Sequence, residues 1–598
     1  MTDKIVRIGG ASGAWGDSPM AIPQLLGADV QYLMMDYLAE VTMSLLARAK
    51  LKDPAAGYPP DFISYLKRPL PQIARRGIKI ISNAGGVNPK ACKRALEALC
   101  AELGLSLRIA VVEGDDLMPR LDELRDHVRE AVSGEPLPAR LLTANAYLGA
   151  LPIAAALAAG ADIVVTGRCA DSALALGILM HEFGWKVDDY DRLAAGSLVG
   201  HILECGPQST GGTFTDWEEV PDWHNIGYPI AECAADGTFV LTKPEGTGGL
   251  VSPGSVAEQV LYEVGDPAAY ILPDVVADFS HVTVKQVGPD RVKLAGAKGR
   301  PPTAQYKVSA TFQDGYRAVA SISIVGRDAA RKAERTAQAL LERARMQFRQ
   351  QNRADFSATH VEALGAEASY GSESRTRATR EVLLRLVVEH QDREALEIFA
   401  RELGAVGISF APGTTGIYSG RPKPTPVVRL FTFFVEKSSL PPPTAQVGET
   451  APFDVVVPVG GGYVEAQTAE AAGTLASTDA TVEVDLLALA YARSGDKGDS
   501  SNIAIIARKP EYVPILRREL TPERVARHFA QSVHGRVVRF EAPGLDGFNF
   551  LLSNALGGGG MASRRIDPQG KAYGQRALEM RIAVPKAIAD ALSQAPLK

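Results

Sequence analysis

Five times in the first 170 residues a short apolar run stops and a cluster rich in Gly, Asn, Asp or Arg follows at once. The runs are 4–8 before GGASGAWGDSP, 30–35 before Asp36 and Glu40, 78–81 before SNAGGVNP, 107–112 before EGDD, and 163–165 before TGRCADS. Apolar runs of this length, separated by helix-like segments, read as parallel strands buried on both faces. The carboxyl ends of such strands face one way, and ligands bind in the crevice beyond them. The expected fold class is therefore α/β, with a mostly parallel, Rossmann-like sheet whose five polar clusters line one pocket.

Helices are expected at 20–26, 38–49, 89–103, 117–132, 146–159 and 172–183. Ser18 before Pro19 and Asn88 before Pro89 look like helix caps, and Asp115 and Asp116 suit a helix N-terminus. From 279 to 326 the pattern changes to alternating apolar and polar residues, an antiparallel insertion with one wet face. A charged helix at 329–349, a helix-rich stretch at 375–403 and a Gly-rich loop at 409–420 follow. The segment 437–453, with three consecutive prolines, reads as extended. The organisation expected is a large domain at 1–440, a Pro/Ala-rich linker at 441–481, and a small α+β domain at 482–598.

The 598 residues carry a net charge of −5, without the clustered Lys and Arg that nucleic acid requires. No apolar run approaches the roughly 20 residues that span a bilayer, and MTDKIVRIGG lacks the apolar core of a signal peptide. Cys92, Cys100, Cys169, Cys205 and Cys233 are an odd set without CxxC spacing. Reduced thiols and a cytoplasmic location are expected. No metal-ligand spacing stands out, so no metal site is assigned.

Several motifs carry chemistry. In the first loop Gly10, Ser12, Gly13 and Asp17 join a strand to a helix, where amides can meet an anion. A structural tight turn is the alternative. The loop is neither GxGxxG nor a P-loop, which weakens a nicotinamide reading. Asp36 and Glu40, four apart, are either an acid–base pair or ordinary helix-end carboxylates. Asn83, Gly85 and Gly86 form the third cluster. In the fifth, Thr166 and Gly167 precede Arg168, whose planar fork suits a carboxylate or phosphate, and Asp171, which would orient it or act as base. A plain Arg168–Asp171 structural pair is the alternative. Cys169 has no histidine nearby in the motif to activate it. His201 and Glu204 lie one helical turn apart and can share a proton, or His201 is a core histidine; Gln208 and Gly211 follow in the same segment. Arg493, Ser494, Asp496, Lys497 and Asn502 sit between two apolar strands, as an anion-binding nest or an exposed hairpin loop. The catalytic candidates are thus Asp36, Arg168, Asp171 and His201, and the others are ligand-binding candidates.

GGASGAWGDSP, DYLAEVTM, NAGGVNP, TGRCADSALALG, HILECGPQSTGG, the segment from PEGTGG to YILPDV, and YARSGDKGDSSNIAII together resemble the acyclic terpene utilisation AtuA family. The likeness extends over nearly the whole chain and includes that family's ferredoxin-like C-terminal module. It implies a bacterial cytoplasmic protein linked to breakdown of branched acyl chains through CoA thioesters and biotin-dependent carboxylation. It supplies no established reaction, and there is no MKM biotin-attachment sequence. The expectation is a hydratase, dehydratase or lyase working by acid–base catalysis on a branched or terpenoid-derived acyl-CoA or carboxylate. CoA would enter as part of the substrate, and no cofactor is assigned. A non-catalytic ligand-binding or assembly subunit alongside an acyl-CoA carboxylase is the alternative. A homo-oligomer is expected on base rates.

Overall fold

All five apolar runs form strands, and they are neighbours in one sheet. They are β1 (Ile5–Ser12), β2 (Tyr32–Met35), β3 (Lys79–Ser82), β4 (Ile109–Glu113) and, after β5 (Thr143–Ala146), β6 (Ile163–Thr166). The computed structural model describes residues 4–464, except 419, and 481–594. The parallel order is β1-β2-β3-β6-β4. Alternate residues serve different cores. Met34, Ile81 and Val164 pack into one, and Leu33, Ile80 and Val165 into the other. With helices on both faces, no position in these strands needs to be polar until the strand ends.

The sheet is not mostly parallel, which corrects the expectation. Beyond β1 it continues antiparallel through β7 (Ile230–Ala234), β8 (Phe239–Thr242), Arg291–Ala295 and Thr283–Gly288. Beyond β4 it continues antiparallel through Thr444–Val447 and Phe453–Asp454. The sheet thus has eleven strands, six of them antiparallel extensions flanking a parallel block of five. A second sheet of six strands is built on Gln305–Val325, one strand of 21 residues where two separate runs were expected. Its first half pairs with β5 and with Thr425–Glu436, its second half with Glu381–His390.

Other boundaries change for local reasons. The expected helix 146–159 is shortened to Leu151–Ala158 because β5 takes its start. The expected helix 117–132 shrinks to Met118–Arg120 and Leu121–Leu124, and Asp115 turns inward instead of capping it. Ser18 is not a cap; the helix Ala21–Leu26 begins after Met20. The stretch 375–403 holds the strand Glu381–His390 before its helix Arg393–Glu402. Nor is 441–453 a linker. Thr444–Val447 pairs with β4, and buried Lys437 donates to Pro273 O and Thr303 O at 2.7 and 2.9 Å. Most of the remaining candidate linker, 465–480, lies outside the described residues.

The C-terminal unit has its own core. Its antiparallel sheet runs Ala490–Lys497, Ser500–Ala507, Gly547–Leu552, Val537–Ala542, and Thr481–Asp485 pairs with Arg581–Pro585. The expected RSGDKGDSS loop is mostly strand, turning only at Gly498 and Asp499. The unit is docked by buried amides. Asn502 donates to Leu261 O (2.8 Å) and Asn549 Oδ1 (2.9 Å), and accepts from Glu263 N (3.0 Å). Asn549 donates to Val264 O at 2.7 Å. Arg508 makes a two-pronged contact with Asp216 at 2.7 and 2.6 Å.

The same seam buries Glu258, which accepts from Thr215 N at 3.1 Å. Burial outweighs that bond and the field of Arg493 and lifts its carboxyl from 4.5 to about 8. Below pH 4.5 the group is neutral in both folded and unfolded chains. As pH rises from there through about 8 the unfolded chain ionises first, so stability falls across that window. Glu258→Gln keeps the acceptor and removes the titration. The expected result is a variant close to wild type at pH 4.5 and more stable by at least about 1 kcal/mol at pH 8. Denaturant midpoints at the two pH values check it.

Candidate functional site

The polar clusters at the strand ends do meet. Asp36 follows β2 and Asn83 follows β3. Asn83 Nδ2 donates to Asp36 Oδ1 at 2.6 Å, while Asn83 Oδ1 accepts from Tyr37 N at 2.8 Å. Ser12, at the end of β1, donates its hydroxyl to Asp36 O at 2.9 Å. Asp115, beyond β4, accepts from Arg168 N, beyond β6, at 2.8 Å. Arg168 then reaches back, donating to Leu38 O at 2.5 Å and to Asp171 at 2.8 Å.

The guanidinium of Arg168 is buried and already engaged. Besides those contacts it donates to the Tyr147 hydroxyl at 3.1 Å and lies over that ring at 4.3 Å. Tyr147 donates in turn to Glu40 at 2.5 Å. The fork expected to hold a ligand instead holds three loops in register. Thr166 is turned inward as well, donating to Gly167 O at 2.8 Å.

The glycines serve the same closure. A Cβ on Gly10, Gly13, Gly85 or Gly167 would lie 2.8 Å from Leu203 O, 2.7 Å from the Cys205 carbonyl carbon, 2.4 Å from Thr166 O and 2.4 Å from the Asp115 carboxylate. The chain itself fills the space in which a ligand was expected. Gly86 and Gly211 have left-handed backbones, with φ of +58° and +102°. Asp17 accepts from Gly13 N (2.9 Å) and Tyr228 (2.6 Å), tying the first loop shut. Gly85→Ala pushes a methyl into a backbone carbonyl that cannot move. A loss of about 1–3 kcal/mol in unfolding free energy is expected, read from denaturant melts.

The helix Tyr190–Leu203 carries the HILECGPQ segment across the end of β1. His201 Nδ1 meets Glu204 at 3.0 Å, as the spacing predicts. His201 is enclosed, with Tyr270 and Phe279 rings 5.8 and 6.1 Å away, and its Nε2 has no partner among the described residues. It stands behind Glu204 rather than facing solvent. Gln208 accepts from Arg493, which also donates to Thr213 O at 3.0 Å. Ser494 donates to Gly570 O at 2.6 Å. Of the five hairpin candidates, Arg493 and Asn502 join the domains and Ser494 ties the hairpin to its own unit; Asp496 and Lys497 extend beyond them.

Those two complete a second ring of charges. Lys571 pairs with Glu263 at 2.8 Å and Asp496 at 3.6 Å, and lies over Tyr262. Lys497 lies over the Tyr270 ring at 5.4 Å. Lys307, whose carbonyl accepts from Tyr147 N at 3.0 Å, lies over the Tyr147 ring at 4.9 Å. Asp171, Glu263, Asp496 and Lys307 are surrounded deeply enough for burial to bear on their charge, yet they reach solvent. Side-chain exposure is 31% for Asp171, 31% for Glu263 and 23% for Asp496, and Lys307 and Lys497 are exposed. That combination describes the wall of a deep cleft between the strand ends and the C-terminal unit.

The electrostatics are uneven. Burial lifts Asp36 to about 6 against its bond from Asn83 and the field of Arg168. Burial raises Asp171 well above the usual range despite Arg168, and the charges of Asp36, Glu204 and Glu40 add to it. Asp496 rises to about 7 by burial and by Glu263, against Lys571. Glu40 goes the other way. Burial raises it, but Arg168, Lys307 and the Tyr147 bond prevail and hold it at about 2. Burial pushes the Cys169 and Cys205 thiols up, so neither is a ready thiolate. Among the described residues no group of His, Cys, Asp and Glu is placed to hold a metal.

Sequence reasoning missed Tyr147, Tyr262, Glu263, Tyr270, Lys307 and Lys571. Tyr262, Glu263 and Tyr270 lie inside a segment that already carried the resemblance. Lys307 sits on an alternating strand and looks like any solvent-facing lysine.

The chain matches the family model described as acyclic terpene utilisation family protein AtuA over residues 6–445, and the AtuA ferredoxin-like domain over residues 484–583. It belongs to the AtuA family. No curated protein and no solved structure matches it. No helix among the described residues is long and apolar enough to cross a membrane.

Proposed function

We propose that this member of the AtuA family is an acid–base enzyme, a hydratase, dehydratase or lyase, acting on a branched or terpenoid-derived acyl-CoA or carboxylate. The observation that carries the reading is Asp171. It is a carboxyl on the cleft wall whose affinity for protons is raised by burial and by the charge of Asp36 behind it. A carboxyl shifted in this direction keeps a proton that an ordinary carboxyl has lost, which suits it to general acid–base catalysis. Asp171 faces the substrate and transfers the proton. Asp36, mostly buried, sets the protonation of Asp171. Arg168 fixes the carboxylate in place, and Glu40, ionised, fixes Tyr147. His201 acts through Glu204 as a positioning residue.

The test is turnover of a panel of saturated and unsaturated branched acyl-CoAs and the matching free acids, followed by mass spectrometry. Addition or loss of water, or cleavage, is expected for at least one member. An unchanged panel, with acyl-CoA carboxylase subunits co-purifying in stoichiometric amounts, sinks the enzyme reading in favour of an assembly subunit.

A further inference from the structure

The carboxylates in the cleft are matched by partners, but two of its three ammonium groups are not. Asp171 has Arg168 at 2.8 Å, Glu263 has Lys571 at 2.8 Å, Glu204 has His201 at 3.0 Å, Glu40 has Tyr147 at 2.5 Å and Asp36 has Asn83 at 2.6 Å. Asp496 lies 3.6 Å from Lys571. Lys307 and Lys497 are left over. Neither makes a hydrogen bond or a salt bridge with any described residue, and each has only a tyrosine face beneath it, Tyr147 at 4.9 Å and Tyr270 at 5.4 Å. They come from different domains, Lys307 from the second sheet and Lys497 from the hairpin of the C-terminal unit. They are close enough for Lys497 to disfavour the charge on Lys307. Arg168 acts in the same sense, while Glu40 and Asp171 oppose it. Glu40 and Asp171 lie in the field of Lys307, and Glu263 in that of Lys497, but no described carboxylate makes contact with either ammonium, and an anion between the two would meet both. Each tyrosine face favours a cation over its ring, holding the amine in the cleft.

We infer that Lys307 and Lys497 form a carboxylate-binding subsite that spans the two domains, so that the substrate bears a carboxylate beside its reacting carbons. The inference rests on the reading of the cleft as an acid–base site, and it specifies the substrate class. The pair stands beside Glu40 and Asp171, so it holds the reacting end of the substrate; a CoA phosphate, remote from the thioester carbon, is not its ligand. The C-terminal unit then supplies half of the binding site as well as a docking surface. The hairpin that carries Lys497 is held in place by Asn502 and Arg493.

Calorimetric titration of the full chain with glutarate tests the subsite without requiring turnover. Glutaramide, its neutral counterpart, and inorganic phosphate serve as controls. Glutarate is expected to bind and glutaramide not to. Lys307→Met and Lys497→Met, both at exposed positions that the fold tolerates, are each expected to weaken glutarate by about tenfold or more, the scale of one charge-assisted contact. Lys497→Arg should recover part of the loss. Asp171→Asn should still bind glutarate while losing turnover, which separates failure of the subsite from failure of the catalytic reading. Absence of glutarate binding in the wild type, binding that neither lysine variant alters, or equal and lysine-dependent binding of inorganic phosphate each overturns the assignment.

Discussion

Arg168→Ala is expected to destabilise the chain by about 3–5 kcal/mol, the scale of removing one partner from a buried ion pair. Only 3% of Arg168 is exposed, and its guanidinium serves Leu38 O, Asp171 and the Tyr147 hydroxyl together. Truncation orphans all three. It also removes the larger of the two cationic fields that hold Glu40 ionised, leaving Lys307 alone to oppose its burial. The loss depends on pH in a definite direction. Burial already raises Asp171 against the pull of Arg168. Without the arginine it takes up a proton more readily still, and the penalty is smallest in acid and grows as pH rises. Arg168→Lys should rescue little, because a single ammonium cannot reach three acceptors in one plane. Chemical unfolding at pH 6 and pH 8 measures both the size and the slope. A variant as stable as wild type at pH 8 would remove Arg168 from the centre of this account.

Asp171→Asn is expected to lower turnover by about 10²–10⁴-fold while leaving the fold intact, the usual range for a general acid–base group. The amide keeps the acceptor for Arg168, so the loops stay in register. Asp36→Asn is predicted to act differently. It removes a charge that raises Asp171, so the acid limb of the rate profile should shift to lower pH. A pure kcat loss at Asp171 combined with a shifted profile at Asp36 distinguishes proton transfer from general damage.

The parallel block was legible because a strand buried on both faces leaves one kind of pattern. Ile80 and Ile81 in one strand, and Ile163 to Val165 in another, are apolar up to the residue at which the chain turns polar. The antiparallel edges were not. Thr444–Val447 is four residues of mixed polarity after three prolines, and only its partner β4 makes it a strand. The site was half legible. Asp36, Asn83, Arg168 and Asp171 share a neighbourhood because strand ends in a parallel sheet must converge. The glycines were misleading. Gly85 and Gly167 look the same whether a phosphate or a carbonyl comes close, and here it is Thr166 O and Asp115. The hairpin Arg493–Asn502 gave no sign of its destination, since docking between domains has no local spacing. Asp496 and Lys497 reached the cleft through a contact that only the fold supplies.

The central claim is that Asp171 exchanges a proton with a substrate carbon or oxygen in this cleft. Running the acyl-CoA and carboxylate panel in deuterium oxide and weighing substrate and product tests it directly. The account predicts solvent deuterium on carbon in at least one pair with the wild-type protein, and loss of that label with Asp171→Asn under conditions where glutarate still binds. Undiminished labelling by Asp171→Asn, or a product formed with no hydrogen from solvent, would contradict it.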